Sequence, residues 1–105
     1  MLYDVRIYTT HPGMLKKQLD LYKEHGFATQ TKHLGKPFAF LLPETGDINS
    51  FTHIWCYENA ADREQKRAAM QADPAWHHYL KITADAGLYL SQSNHLMKDS
   101  PLMHG

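Results

Sequence analysis

The segment from Phe51 to Tyr57, FTHIWCY, alternates between two kinds of side chain and therefore predicts a β-strand. One set of alternate positions holds large rings with polar tips, at His53, Trp55 and Tyr57. The other set holds smaller side chains, at Thr52, Ile54 and Cys56. Both faces of this strand are rich in apolar atoms, so the fold must cover both of them, and with different partners.

Three more segments of the chain predict strands. The first, Leu2–Thr9, alternates tyrosine, valine and isoleucine with more polar residues. The second, Lys36–Leu42, includes Pro37, which lacks a backbone donor and suits the start or the edge of a strand. The last, Leu88–Met97, also alternates, but a one-residue bulge would exchange its two faces.

Two intervening regions predict helices. The segment Met14–His25 repeats apolar residues at spacings of three and four, which gives an amphipathic helix, and Gly26 follows it as a stop signal. The second region begins at Asn59, a favourable N-cap. It is interrupted at Asp73, the N-cap of a fresh helix over Pro74–Ala86.

The resulting order of elements, β-α-β-β-α-β, predicts an α+β fold of the ferredoxin-like type. In that fold four antiparallel strands form one sheet, and the helices cover one of its faces. We expect one domain over residues 1–98, followed by a C-terminal tail over residues 99–105 whose sequence shows no pattern.

Charge and composition exclude several classes of protein. The 105 residues include 11 basic and 11 acidic side chains, so the chain has no excess of positive charge that would attract nucleic acid or an anionic membrane. No apolar run approaches the ~20 residues that span a bilayer, and the first residues are too few and too charged for a secretory signal. The single cysteine, Cys56, excludes an internal disulfide. We therefore expect a cytoplasmic protein.

The facing of the sheet decides where a site could lie. One face of the sheet must receive the helices, and we expect it to be the side that carries Tyr3, Val5, Ile7, Ile54 and Cys56. The opposite side carries Asp4, Arg6, Tyr8, His53, Trp55 and Tyr57. A monomer would leave these rings in water beside charges, so we expect a second copy of the chain to cover them and to enclose a cavity.

Several blocks of the sequence resemble the NIPSNAP family. They are YDVRIYTTHPGML, HLGKPFAF, GDINSFTHIWCYENAADREQKRAAMQADPAWHHYL and SQSNHLMKDSP, and they extend from about Tyr3 to Pro101. The resemblance implies a homodimeric α+β barrel, the architecture of the small antibiotic-biosynthesis monooxygenases. It implies no reaction, because family members mostly lack an assigned one. Asp4 and His95 depart from the Glu and Arg that are usual in the family.

The candidate site residues lie on the aromatic side of the sheet, and each has a structural alternative. His53 is the catalytic candidate, as a general base or a ligand contact, and it could instead be a buried structural histidine. Arg6 and Asp4 either clamp an anion or simply pair with each other. Tyr8, Trp55 and Tyr57 either stack on an aromatic ligand or pack a dimer interface. Asn94 is a further ligand-binding candidate, if the last strand turns it that way.

The eight histidines do not predict a metal site. His77 and His78 are adjacent, so on a helix they diverge by about 100°, and no helical pair has the spacing of four residues that zinc sites use. We therefore expect no metal and no cofactor. Haem held by His53 alone is the one alternative.

Three functions remain open from the sequence. The first is a NIPSNAP-like protein that binds a small aromatic or anionic ligand in a dimer cavity. The second is a cofactor-independent monooxygenase of a phenol or quinol, in which His53 removes the phenolic proton and Arg6 or Asn94 stabilises the oxyanion. The third is a non-catalytic adaptor that binds another protein.

Overall fold

The computed structural model describes residues 1–104, except for the side chain of His104, and Gly105 of the predicted tail lies outside the described residues. The described strands and α-helices are β1 (Leu2–Thr10), α1 (Leu15–His25), α2 (Phe27–Leu34), β2 (Ala39–Leu41), β3 (Ser50–Tyr57), α3 (Ala60–Gln71), α4 (Pro74–Ala86) and β4 (Tyr89–Lys98). A short 3-10 turn, Pro101–His104, follows β4. Over residues 1–104, every helix is too short or too polar to cross a membrane.

The strands form one sheet in the order β2-β3-β1-β4, and every neighbouring pair is antiparallel. β1 is central, with β3 on one side and β4 on the other. This is the ferredoxin-like order, so the predicted α+β fold class is confirmed.

The first helical region is longer than predicted, because α2 follows α1 at once. Gly26 does not stop helical structure but allows a close approach of α4. A Cβ atom on Gly26 would lie 2.9 Å from Cγ of Tyr79, which is too close for any side chain at that position. The junction of α1 and α2 therefore packs directly against the Tyr79 ring.

The predicted ends of the other helices are confirmed by their contacts. The Asn59 side chain accepts a hydrogen bond from the backbone N–H of Asp62, and Asp73 accepts one from Ala75. These bonds satisfy N–H groups that have no partner inside the helix. Gly87 ends α4 in the left-handed region, at φ 62°.

The predicted facing of the sheet is wrong. The helices cover the side with the polar-tipped rings, whose members are buried or half-buried: Asp4, Arg6, Tyr8, His53, Trp55 and Tyr57. Trp55 and Tyr57 are 0% exposed. The helices of the described chain leave the opposite side uncovered, and it holds the residues that we expected in the core: Tyr3, Val5, Ile7, Ile54 and Cys56.

Side-chain volume explains this reversal. Large rings fill the space between a sheet and a layer of helices, and the buried cluster consists mainly of them: Tyr22, Leu34, Trp55, Tyr57, Met70, Trp76 and Tyr79. Polar tips oppose burial only where they lack partners. Here the Nε1 of Trp55 donates to Nδ1 of His53 at 2.9 Å, and the buried Asp4 carboxylate is paired with arginine.

A bulge in β4 decides which of its residues face the helices. The register with β1 shifts between Tyr89 and Ser91, which leaves Leu90 as an extra residue. Tyr89 therefore lies on the helix-facing side, together with Gln92 and Asn94. The sequence left this choice open because alternation alone does not reveal a bulge.

The buried carboxylate of Asp4 joins β1, α3 and β4. Its Oδ2 accepts hydrogen bonds from Arg6 at 3.1 Å and from Arg63 of α3 at 3.2 Å, and its Oδ1 accepts one from Asn94 at 3.0 Å. Burial acts to raise the pKa of Asp4, but Asn94 and the two guanidinium groups outweigh it and lower the pKa below its usual value. Asp4 thereby fixes the position of the Arg6 side chain.

Replacing Asp4 with asparagine should strongly destabilise the protein, because Arg6 and Arg63 would then lack their carboxylate. Removing one partner of a buried ion pair costs about 3–5 kcal/mol, measurable as a loss in the free energy of unfolding by urea. Asp20→Asn removes an exposed carboxylate that pairs with Lys16. It is the matched control and should change the free energy by less than about 0.5 kcal/mol.

The destabilisation by Asp4→Asn should also depend on pH. Because the folded-state pKa of Asp4 lies below its usual value of 3.8, the stabilisation is complete above that value and is lost as pH falls through the folded-state pKa. The difference between wild type and variant should therefore be constant near neutral pH and should shrink in acid. A difference that is the same at all pH values would contradict this role for Asp4.

A variant with Trp76→Phe tests the facing of the sheet, since Trp55 is then the one remaining tryptophan. The helices of the same chain cover Trp55, so iodide should quench its fluorescence only weakly, at any protein concentration. Unfolding in urea should make the quenching strong, which is the control. Quenching that rises on dilution would mean that a second copy shields Trp55 instead.

Candidate functional site

A cavity of about 450 Å³ lies between the sheet and the helices of the same chain, and not between two sheets as predicted. The sheet contributes Tyr8, Phe51, His53 and Tyr89 to its wall. Much of the helix side comes from α4, through Trp76, Tyr79, Leu80 and Thr83. The lining residues that are exposed to solvent mark its mouth, at Leu80, Ala84, Gly87 and Gln92. Its volume suits a small organic ligand.

The sheet side of the cavity is an aromatic floor. The rings of Tyr8 and Phe51 are stacked, with centroids 5.2 Å apart and planes 8° apart. The Tyr8 ring also lies 5.2 Å from the rings of His53 and Tyr89. A floor of flat rings favours a flat ligand, because aromatic surfaces stack on one another.

His53 has a defined protonation state in this wall. Trp55 Nε1–H can only donate, so His53 Nδ1 must accept, and the ring proton is therefore on Nε2. Burial and the nearby Arg6 lower the pKa of His53 to about 3, so the ring is neutral at physiological pH. The Nε2–H group is buried and has no hydrogen-bond partner among the described residues.

Two guanidinium groups contribute positive charge to the lining. Arg6 donates from Nε to the Tyr8 hydroxyl at 3.1 Å and from Nη1 to Asp4, which lies behind it. Arg67 of α3 is the second cation in the wall. The described lining includes no aspartate or glutamate side chain. The cavity is therefore suited to an anionic group.

Hydrogen bonds among the helices fix the orientation of the polar side chains that line the helix side of the cavity. The Tyr22 hydroxyl donates to Oε1 of Gln30, and both residues line the cavity. The buried Gln18 donates to the Tyr79 hydroxyl at 3.2 Å and accepts from Thr83 at 3.2 Å. Burial raises the pKa of Tyr22, so its hydroxyl stays protonated.

The structure brings some predicted site residues into the wall and leaves others behind it. Those that line the cavity are Arg6, Tyr8 and His53. Those that lie outside the lining are Asp4, Trp55, Tyr57 and Asn94. Asp4 and Trp55 contact the lining indirectly, through their bonds to Arg6 and His53. The functional roles of all these residues stay predictions.

Several lining residues were missed by the sequence reasoning, including Arg67, Tyr22 and Tyr89. They were missed because we expected the helices on the other side of the sheet. The available signal was the helix faces themselves: the predicted inner face of α4 carries Trp76, Tyr79 and Thr83, a partly polar and aromatic set. Such a face complements the polar-tipped rings better than the small apolar side chains.

Metal and haem binding have no support from the geometry. Over residues 1–104, no group of three or more His, Cys, Asp or Glu side chains is placed to hold a metal ion. Haem iron would need the lone pair of His53 Nε2, but that atom carries the ring proton. Moving the proton to Nδ1 would set two N–H groups against each other at the Trp55 contact.

Comparisons with known proteins agree with this fold. The NIPSNAP family model matches residues 3–102. A crystal structure of a NIPSNAP family protein with unknown function from Agrobacterium tumefaciens is 34% identical, with a TM-score of 0.85, over 98% of this chain and 94% of that one. An antibiotic biosynthesis monooxygenase of known structure is 19% identical, with a TM-score of 0.64, over 96% of this chain and 100% of that one, which is a likeness of fold alone.

Protein NipSnap of Drosophila melanogaster is a more distant relative in sequence. It is 28% identical over 75 residues, which are 71% of this chain and 27% of the relative, so the match spans about a quarter of that longer protein. Because the family model extends from β1 through Leu102 and the bacterial relative shares the fold over nearly its whole length, this chain belongs to the NIPSNAP family.

Proposed function

We propose that this protein binds a small aromatic anion in the cavity of each chain. One observation carries the proposal: His53 lines the cavity, and its buried Nε2–H has no hydrogen-bond partner among the described residues. A buried donor that lacks an acceptor costs about 1–3 kcal/mol. A ligand oxygen at this position would remove that cost and gain a hydrogen bond.

Charge and shape support the same class of ligand. Arg6 and Arg67 supply positive charge to a wall whose described residues include no carboxylate. The stacked rings of Tyr8 and Phe51 supply a flat apolar surface. A planar ligand with one anionic group would satisfy both features, whereas an aliphatic cation would satisfy neither.

A non-catalytic adaptor is the less favoured function. An adaptor needs no interior space, and large aromatic side chains could have filled the region between sheet and helices completely. A space of about 450 Å³ remains, with Arg6, Tyr8 and His53 in its wall. This supports a ligand rather than a purely structural interior.

A cofactor-independent monooxygenase of a phenol or quinol is the second candidate, and the fold likeness to an antibiotic biosynthesis monooxygenase supports it. The predicted role of His53 as the base does not fit the geometry, since its lone pair already accepts from Trp55. In this candidate His53, Arg6 and Arg67 would bind a substrate that is already ionised. Oxygen consumption with a panel of quinols distinguishes this enzyme from a simple binding protein.

Calorimetric titration with naphthoate, and with naphthamide as its uncharged analogue of the same shape, tests the proposed ligand class. Naphthoate should bind at least tenfold more tightly, because hydrogen bonds to charged groups contribute about 1.5–3 kcal/mol. Arg67→Gln should weaken naphthoate binding about tenfold. Lys81→Gln, at an exposed side chain of α4 outside the lining, should not. Equal affinities for the two compounds, or no binding at millimolar concentration, would count against the proposal.

We also propose that two copies pair through the uncovered side of the sheet, as the family resemblance implies. That side carries a continuous set of apolar side chains, including Tyr3, Val5, Ile7, Ile54 and Met97. Phe38, whose ring contacts Tyr3, is 65% exposed, and Met97 is 55% exposed. Pairing would remove this surface from water and leave the cavity of each chain on the outside of the barrel.

Ile54→Lys tests the proposed dimer, because it places a charge in the middle of the uncovered side. Wild type should sediment with twice the mass of the chain, and Ile54→Lys with the mass of one chain and an unchanged circular dichroism spectrum. Ala61→Lys, at an exposed position of α3, is the matched control and should stay dimeric. A monomeric wild type at micromolar concentration would exclude the dimer.

A further inference from the structure

We propose that the cavity selects enols and phenols in their ionised form, with the oxyanion bound at His53 Nε2. This inference rests on the proposed function and names its ligand class more closely. It follows from the direction of the hydrogen bonds behind the cavity wall. In two places on the sheet side of the cavity, a group that can only donate, Trp55 Nε1–H or Arg6 Nε–H, occupies an acceptor of a lining residue, so that His53 and Tyr8 are left with a donor for the ligand.

His53 is the first of these groups. Trp55 is fully buried and donates to Nδ1 at 2.9 Å, which uses the only lone pair of the neutral ring. Rotating the ring would not free it, because Trp55 would then lose its acceptor in a buried place. His53 therefore presents an N–H to the ligand and cannot take a proton from it.

Tyr8 is the second group, and its direction is set by Arg6. The Nε–H of Arg6 can only donate, so the Tyr8 oxygen accepts this bond at 3.1 Å. Arg6 is itself held by the buried Asp4 carboxylate. The hydroxyl hydrogen of Tyr8 is left to donate elsewhere, and Tyr8 lines the cavity beside His53, with ring centroids 5.2 Å apart.

Gln30 lies on the helix side of the cavity. Its Oε1 accepts the hydroxyl hydrogen of Tyr22, and its amide N–H groups are further donors. With the guanidinium of Arg67, the wall then offers several donors. The described part of the lining has no carboxylate that could accept the O–H of a neutral phenol.

The imbalance between donors and acceptors explains the expected selectivity. A neutral phenol placed against His53 and Tyr8 would bring an additional O–H to groups that are already donors, since Nδ1 of His53 and the oxygen of Tyr8 already accept from Trp55 and Arg6. The ionised form accepts from those donors and is attracted by Arg6 and Arg67. The phenolic proton is released to bulk water, and no covalent bond to the protein forms or breaks.

Spectroscopic titration of bound p-nitrophenol tests this inference, because its anion absorbs visible light and its neutral form does not. The dye bound to the wild-type protein should have a pKa at least about one unit below that of the free dye, which corresponds to a tenfold preference for the anion. Naphthoate should displace the dye, which shows that both occupy the same cavity.

Two substitutions of His53 test the roles of its two ring nitrogen atoms separately. In His53→Asn the side-chain oxygen can replace Nδ1 as the acceptor for Trp55, but the donor at Nε2 is lost. In His53→Gln the longer side chain can place an amide N–H near Nε2. In His53→Asn the preference for the anion should fall about tenfold, so that the pKa shift of the dye shrinks by about one unit. In His53→Gln the shift should be largely kept. Circular dichroism checks that both variants are folded.

The outcomes distinguish this inference from the proposed function. If naphthoate binds but the pKa of the bound dye is unchanged or raised, the oxyanion selectivity is wrong and anion binding stands. If neither compound binds, both proposals are wrong. If His53→Asn and His53→Gln lose the shift equally, the donor role of His53 is overturned.

Discussion

The fold depends on burying the aromatic, polar-tipped side of the sheet beneath the helices of the same chain. Trp55 and Tyr57 fill one part of that layer completely, and Tyr8, Phe51 and His53 form the floor of the cavity in another part. Core and candidate site are therefore neighbouring regions of one layer. A change in a core ring will move the floor as well, since close-packed side chains transmit small shifts.

Hydrogen bonds within this layer leave donors at two positions on the floor of the cavity. Trp55 orients His53, and Arg6 orients Tyr8. Each of these bonds exists without a ligand and decides which atom His53 or Tyr8 has available for one. Such preorganised donors are effective in a buried place, because they need no reorientation when an anion arrives.

Local sequence signals predicted the order of elements well and the packing of layers poorly. Alternation located β1, β3 and β4, and the capping residues marked the helix boundaries: α3 and α4 begin after Asn59 and Asp73, and α4 ends at Gly87. These features depend on neighbours in the chain. The side of the sheet that meets the helices depends on volume and on pairing across elements, such as the contacts of Asp4 with Arg63 and Asn94. We expected the helices on the more apolar side of the sheet, and that expectation reversed the two faces.

The candidate site was only partly visible in the sequence for the same reason. Arg6, Tyr8 and His53 were identified because they alternate with apolar residues on strands, and all three line the cavity. Arg67 and Tyr22 lie on helices, where their direction becomes known only once the helices are placed. Tyr89 was hidden by the bulge at Leu90, which alternation cannot show.

The Nε2–H of His53, which has no partner in the described part of the chain, connects stability with the proposed function. A domain of this size has a total stability of about 5–15 kcal/mol, and an unsatisfied buried donor removes about 1–3 kcal/mol of it. A phenylalanine at position 53 would avoid that cost but would leave Trp55 without its acceptor. Water could partly satisfy the donor, yet an oxyanion accepts more strongly, because charge-assisted hydrogen bonds are about twice as strong as neutral ones. This energetic difference is what supports the proposed anionic ligand.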